Sequence, residues 1–259
     1  MEDVVRILAI GHSHLHKLSA AYATSQSRDI EMQFLTLGSD WSAFANRTDV
    51  GFEINPQFQQ KVEELIRGYR PHCVLLALSG SQHFTNSAVR DPRPFDFVLP
   101  SRADIGIDPS VAAVPYNLVK RIFDFEVARL HDTMLFVKPL VEHLYCLGTP
   151  PVVGEQEHFF NHLAPEMKAR VPVSGLSTPS ERYKMWRLAD DVLRDWCKTN
   201  GAQHLGPPDG TCDDTGFLKK ELFADSLHAN LAYANWVLKQ LGDLAATRQG
   251  QYLSASDGV

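Results

Sequence analysis

The chain has 259 residues, 44% of them hydrophobic and 22% charged, with 31 acidic against 25 basic side chains and a net charge of −6. That much apolar material can bury one sizeable core, while the acidic balance offers a polyphosphate no basic surface, so no nucleic acid is expected as a partner. No run approaches the ~18 apolar residues of a membrane span, so no membrane partner is expected either, and Met1 to Arg6 lacks the basic start of a secretory signal.

Five short apolar segments bounded by turn residues read as strands: Arg6–Ile10, Met32–Leu37, Cys73–Leu78, Leu144–Leu147 and Gln203–Leu205. Helical periodicity falls between them. Leu15–Thr24 follows the first strand, Gln57–Gly68 the second, and Asn117–Glu142 precedes the fourth. Ser180–Asn200 precedes the fifth, with Ser180 as its expected N-cap and Gly201 just past its end. A last helix is expected from about Asn230 to Ala246. The third strand is apolar without alternation, as in a strand covered on both faces. Regular strand–helix alternation predicts an α/β fold with a parallel sheet between two helical layers. One domain is expected over residues 1–247, with a flexible tail over 248–259.

Two stretches lack periodicity. Phe84 to Pro115 follows the third strand and Thr149 to Pro179 the fourth. Both leave strand C-termini, the edge where open α/β sheets bind ligands, so both are expected to wall a substrate pocket. The four cysteines, Cys73, Cys146, Cys197 and Cys212, show no paired spacing. They read as reduced thiols, mostly in the core, of a cytoplasmic protein. Trp186, Trp196 and Trp236 stand at helical core spacing and are expected to pack.

Three motifs carry candidate chemistry. Ile10-Gly11-His12-Ser13-His14 places a serine in a turn between strand and helix, where it either caps the helix or presents its hydroxyl at the sheet edge. Asp225-Ser226-Leu227-His228 lets a carboxylate orient an imidazole whose other nitrogen can take a serine's proton; alternatively Asp225 is a cap and His228 a surface residue. Ser79-Gly80-Ser81-Gln82-His83 ends the third strand with an amide able to donate to a developing oxyanion, or is a plain polar turn.

The block order of serine after strand one, Gly-x-amide after strand three and Asp-x-x-His before the last helix resembles the SGNH/GDSL hydrolase family, from Ile7 to about Leu241. The resemblance implies a flavodoxin-like three-layer α/β/α sandwich with a five-stranded parallel sheet. It also implies an esterase working through an acyl-enzyme without a cofactor or metal. Ser13 would be the nucleophile, His228 the general base and Asp225 its orienting carboxylate. The oxyanion hole would use the backbone N–H of Ser13, the N–H of Gly38 (or Gly51) and the side chain of Gln82. Trp41 and His83 are expected to touch the substrate, a small-molecule or carbohydrate acyl ester. Two blocks depart from the family: Gly-His-Ser replaces Gly-Asp-Ser, and Gly80-Ser81-Gln82-His83 replaces Gly-x-Asn-Asp.

Two other readings compete. His12, His14 and His16 form His-x-His-x-His, which resembles the metal-binding start of the amidohydrolase barrels, where neutral imidazoles hold a catalytic zinc. The altered blocks also fit a binding protein on a degenerate hydrolase fold. Acyl transfer to an alcohol would use the same triad as hydrolysis. The sequence carries no sign of oligomeric state.

Overall fold

The computed structural model describes residues 4–25, 29–38, 44–49, 51–79 and 81–256. Strand β1 (Val5–Gly11) runs into α1 (His14–Thr24) and β2 (Ile30–Thr36). A hairpin of β3 (Ala45–Thr48) and β4 (Gly51–Ile54) precedes α2 (Pro56–Tyr69), β5 (Cys73–Ala77) and the short α3 (Gln82–Ser87). Strands β6 (Phe95–Asp96) and β7 (Ala112–Ala113) pair within the segment that leads to α4 (Tyr116–Val137) and β8 (His143–Leu147). Three short helices follow: α5 (Gln156–Asn161), α6 (Pro165–Lys168) and α7 (Val171–Ser174). The chain ends with α8 (Pro179–Thr199), β9 (Gln203–Leu205) and α9 (Leu231–Ser256).

The main sheet has five strands in the order β2-β1-β5-β8-β9, every neighbouring pair parallel. Because successive side chains point to opposite faces, β1 feeds two cores. Ile7 and Ala9 pack with Leu15, Leu18 and Ala21 of α1 and with Tyr233, Val237 and Leu241 of α9. Leu8 and Ile10 pack on the other face with Phe58 and Val62 of α2, Leu130 and Met134 of α4, and Leu193 of α8. Each buried Leu, Ile, Val, Phe or Met among these contributes roughly 1.5–3 kcal/mol by leaving water. This is the three-layer α/β/α sandwich expected, and all five expected strands are present. The chain turns outward from β1 to β2 and then crosses back to β5. The carboxyl ends of β1 and β5 therefore flank the switch point, where such sheets open a crevice.

Local chemistry sets the helix starts. Asn55 caps α2 by accepting from the N–H groups of Gln57 and Phe58, with Pro56 at the first helical position, where its missing N–H costs nothing. Helix α8 begins at Pro179, and Thr178, not Ser180, is its N-cap, closing a reciprocal pair of bonds with Glu181. Gly201 lies just past its end at φ +65°, as expected. The last helix continues to Ser256, beyond the expected end near Ala246. Trp186 is buried, but Trp236 is 41% exposed on α9 and does not pack in the core as expected. Cys73, Cys146 and Cys197 are buried and Cys212 half-buried, all as free thiols.

The two aperiodic stretches fold into cores of their own. Phe97 and Leu99 pack with Val119 and Phe123 of α4 and Tyr183 and Trp186 of α8, and Val153, Phe159 and Leu163 pack with Ala88. Two buried cations anchor them. Lys184 Nζ donates to both carboxylate oxygens of Asp96 at 2.8 Å and to the Gly106 carbonyl at 2.8 Å. Asp96 also accepts from the N–H groups of Phe97 and Asp108, so the buried pair is fully satisfied; removing one partner of such a pair costs about 3–5 kcal/mol. Arg182 donates to Gln156 and to the carbonyls of Ser177 and Val153 and lies 3.9 Å over the Phe159 ring. Burial pushes its guanidinium down to about 10.

Candidate active site

Strand β1 ends at Gly11, where a Cβ would overlap the Ala77 carbonyl of β5. Only glycine permits so close an approach. The His12 N–H donates to the same carbonyl at 3.3 Å. His12 Nδ1 stands 3.0 Å from the Gly38 carbonyl oxygen, just beyond β2, and since that oxygen only accepts, Nδ1 is the donor. Ser13 occupies the N-cap position of α1, yet its hydroxyl caps nothing. Its Oγ lies 2.9 Å from His228 Nε2 instead.

His228 comes from the turn ahead of α9. Asp225 Oδ1 accepts from the N–H groups of Leu227 and His228 at 2.7 Å each, which folds the four residues into a tight turn. Its other oxygen lies 2.9 Å from His228 Nδ1. Burial alone would raise the Asp225 carboxyl. The bonds from the His228 ring and from the two N–H groups outweigh it and hold the group at about 2. An ionised carboxylate can only accept, so Nδ1 carries the ring proton, and Nε2 of the neutral imidazole accepts from the Ser13 hydroxyl. Asp225 caps its own turn and not the helix. Asn230 takes that second role, accepting from Ala232 and Tyr233.

The remaining expected site residues divide. The backbone N–H groups of Ser13 and Gly38 and the side chain of Gln82 make no hydrogen bond among the described residues. They come from the carboxyl ends of β1, β2 and β5, three adjacent strands. Gly51 instead faces Thr48 across the hairpin. Trp41 and Gly80 lie outside the described residues. His83 is buried, and its burial pushes it down to about 4 against the pull of Asp190. His14 lies with its ring 5.1 Å from that of His228; burial, then His228 and His83, push it down to about 3.

The His-x-His-x-His segment does not converge: His12 turns to Gly38, His14 to His228, and His16 is exposed. Among the described residues no group of three His, Cys, Asp or Glu is arranged to hold a metal ion, so the donor set does not fit the zinc reading.

Two cavities flank the site. One is a shallow recess lined by Gln82, His83, Phe44, Phe123, Thr149 and Asp190, among others. The other is lined by His228, His14, Lys17, Asn230 and Tyr233. The aperiodic stretches contribute little to either, contrary to expectation, because they are consumed by their own cores. The 84–115 stretch lines a separate recess beside Arg90 and Asp96. Sequence reading missed Asp190, which lies 2.8 Å from His204 and 2.7 Å from Arg194. Its signal was a carboxylate in helical register with Trp186, Leu193 and Cys197, on an apolar stripe.

No family model and no curated protein matches the chain. Solved structures do. The periplasmic domain of a Salmonella Paratyphi A lipopolysaccharide acetyltransferase is 12% identical with a TM-score of 0.49, over 94% of this chain and 84% of that one. A GDSL-like lipase from Bacteroides thetaiotaomicron is 10% identical with a TM-score of 0.48, over 95% and 92%. A carbohydrate acetylesterase family member from Sinorhizobium meliloti is 11% identical with a TM-score of 0.45, over 95% and 100%. The cytoplasmic location expected from the sequence is corrected here. One similar chain is by description a periplasmic domain, and unpaired thiols do not fix a compartment. No helix among the described residues is long and apolar enough to cross a membrane.

Proposed function

We propose that the protein is a serine ester hydrolase of the SGNH/GDSL type. The observation that carries this reading is the chain of contacts from Asp225 through His228 to Ser13, both links 2.9 Å long, on a serine that forgoes helix capping. In the proposed reaction Ser13 Oγ attacks the acyl carbonyl carbon as its proton passes to His228 Nε2. The imidazolium formed is stabilised by Asp225, which stays ionised. Negative charge gathers on the carbonyl oxygen, where the N–H groups of Ser13 and Gly38 and the Gln82 amide would receive it. The tetrahedral intermediate collapses, the C–O bond to the alcohol breaks, and His228 returns the proton to the leaving oxygen. Water, activated by the same ring, then releases the acid and restores Ser13. The substrate class is a small-molecule or carbohydrate acyl ester. A fluorophosphonate probe is expected to label Ser13, and the native protein to cleave a short-chain acyl ester, with Ser13→Ala losing both. If the native protein is neither labelled nor active on such esters, the hydrolase reading is wrong.

A further inference from the structure

Helix α4 buries one side and leaves a second, patterned side open. Val119 and Phe123 face the core shared with α8, and Leu130, Met134 and Val137 face the sheet. The hairpin and α8 cover its flanks. The Phe52 ring lies 5.4 Å from that of Phe125, and Trp196 meets His131 edge-on at 4.5 Å. Between these flanks Leu118, Ile122, Phe125 and Leu135 are each between 45% and 57% exposed. They are four of the twelve large apolar side chains left exposed among the described residues. Single exposed apolar residues are ordinary, but a row of them along one helix marks a contact surface.

The row is a heptad seam. Leu118, Arg121, Phe125, Ala128, Asp132 and Leu135 follow one another at alternating steps of three and four, the spacing that keeps residues on one side of a helix. The seam matches itself only when one copy is reversed. A two-fold axis across the middle of α4, which spans Tyr116–Val137, brings Leu118 level with Leu135 of a second copy, Phe125 with Ala128, and Arg121 with Asp132. Large meets small, apolar meets apolar, and the opposite charges meet twice, once on either side of the axis. Both charges are available. Arg121 makes no hydrogen bond or ion pair among the described residues, and Asp132 has only a 3.7 Å approach to His131 Nδ1. A parallel pairing would set Arg121 against Arg121 and Asp132 against Asp132. An antiparallel one slipped by a heptad would set Arg121 against Phe125. Both lose the ion pairs, so the charges fix direction and register, as polar seam positions do in coiled coils.

We propose that the outer face of α4 is the interface of a homodimer, with two copies of the helix packed antiparallel about a two-fold axis through its middle. The seam from Leu118 to Leu135 is about 26 Å long, short for a permanent interface, so the dimer is reversible. Sedimentation velocity on the full chain, over about a hundredfold range of concentration, is expected to show a shift from 29.0 kDa to twice that mass. Arg121→Asp and Asp132→Arg each bring like charges together at two symmetric points and should weaken the dimer at least about tenfold. The double variant, with the charges exchanged, should return the dissociation constant to within about threefold of wild type. Far-UV circular dichroism should not change, since both side chains are open to solvent. Should either reversal disturb the fold, Leu118→Lys, at an exposed position of the same seam, should leave a monomer. A chain that stays monomeric at every concentration, a dimer indifferent to these variants, or a double variant that dimerises no better than the single ones would each overturn the pairing and leave the face to a partner of another kind. None of these readouts involves Ser13 or ester cleavage, so the dimer stands or falls apart from the hydrolase reading.

Discussion

In the proposed SGNH/GDSL reading, Gln82 takes the position usually held by asparagine, and its side chain is one methylene longer. As the first residue of α3 it is fixed at its backbone by the helix, while its amide is left without a partner among the described residues. An amide so placed stabilises charge that develops only in the transition state, so its loss should act on turnover and not on binding. Gln82→Ala is expected to lower kcat by about 10²–10³ with KM nearly unchanged. Steady-state kinetics on a short acyl ester decides it. Wild-type turnover in the variant would mean that the oxyanion is held by backbone N–H groups alone. The other departure from the proposed family pattern, His12 in place of aspartate, has a separate account: its ring donates to the Gly38 carbonyl at 3.0 Å. That bond anchors the peptide just past β2, whose Gly38 N–H is another proposed donor.

At the scale of elements, the site depends on how tightly β1 lies against β5. The atom that a Cβ at Gly11 would meet is the Ala77 carbonyl, a backbone atom of the neighbouring strand, so no side chain can swing aside to admit it. Gly11→Ala should force the strand ends apart and shift Ser13 with them. The expected result is a loss of about 1–3 kcal/mol in urea unfolding, together with loss of fluorophosphonate labelling, although Ser13, Asp225 and His228 are all still present. Retained labelling at wild-type rate would show that β1 and β5 can separate without moving Ser13. Four of the sheet strands and the five long helices were legible because each carries an apolar run or stripe of its element, and β9, three residues with only Leu205 buried, because turn residues bound it. The hairpin Ala45–Thr48/Gly51–Ile54 and the short α5, α6 and α7 were not, since pieces of four to six residues are too short to show a period. The residues of the proposed triad, Ser13, Asp225 and His228, were visible as local motifs. Asp190, His204 and the cavity walls were not, because they meet only when α8, β8 and β9 pack.

Over the whole molecule, the buried histidines tie stability to pH. The ordinary value for an imidazole is 6.5, and burial pushes His14 to about 3 and His83 to about 4. In the unfolded chain both take up a proton as pH falls through 6.5, whereas in the folded protein they stay neutral until far lower. Between these limits the unfolded chain holds more protons, so stability falls as pH falls. Asp225 adds to this further down. Its folded value, about 2, lies below the ordinary 3.8, so its contribution is complete above about pH 4 and is lost towards pH 2. That contribution is modest, because the carboxylate is partly exposed and screened by water. Between about pH 7.5 and pH 5 only histidines act: His14 and His83 together are expected to remove about 4 kcal/mol, and His158, which burial and then His162 also push down, adds in the same direction. Urea midpoints measured across that range should fall steadily for the wild type. The slope should be shallower for His83→Leu, which has one fewer proton to gain on unfolding. A wild-type midpoint that stays constant over this range would mean that both imidazoles titrate normally in the folded protein. His83 would then be open to water, at odds with its 2% exposure.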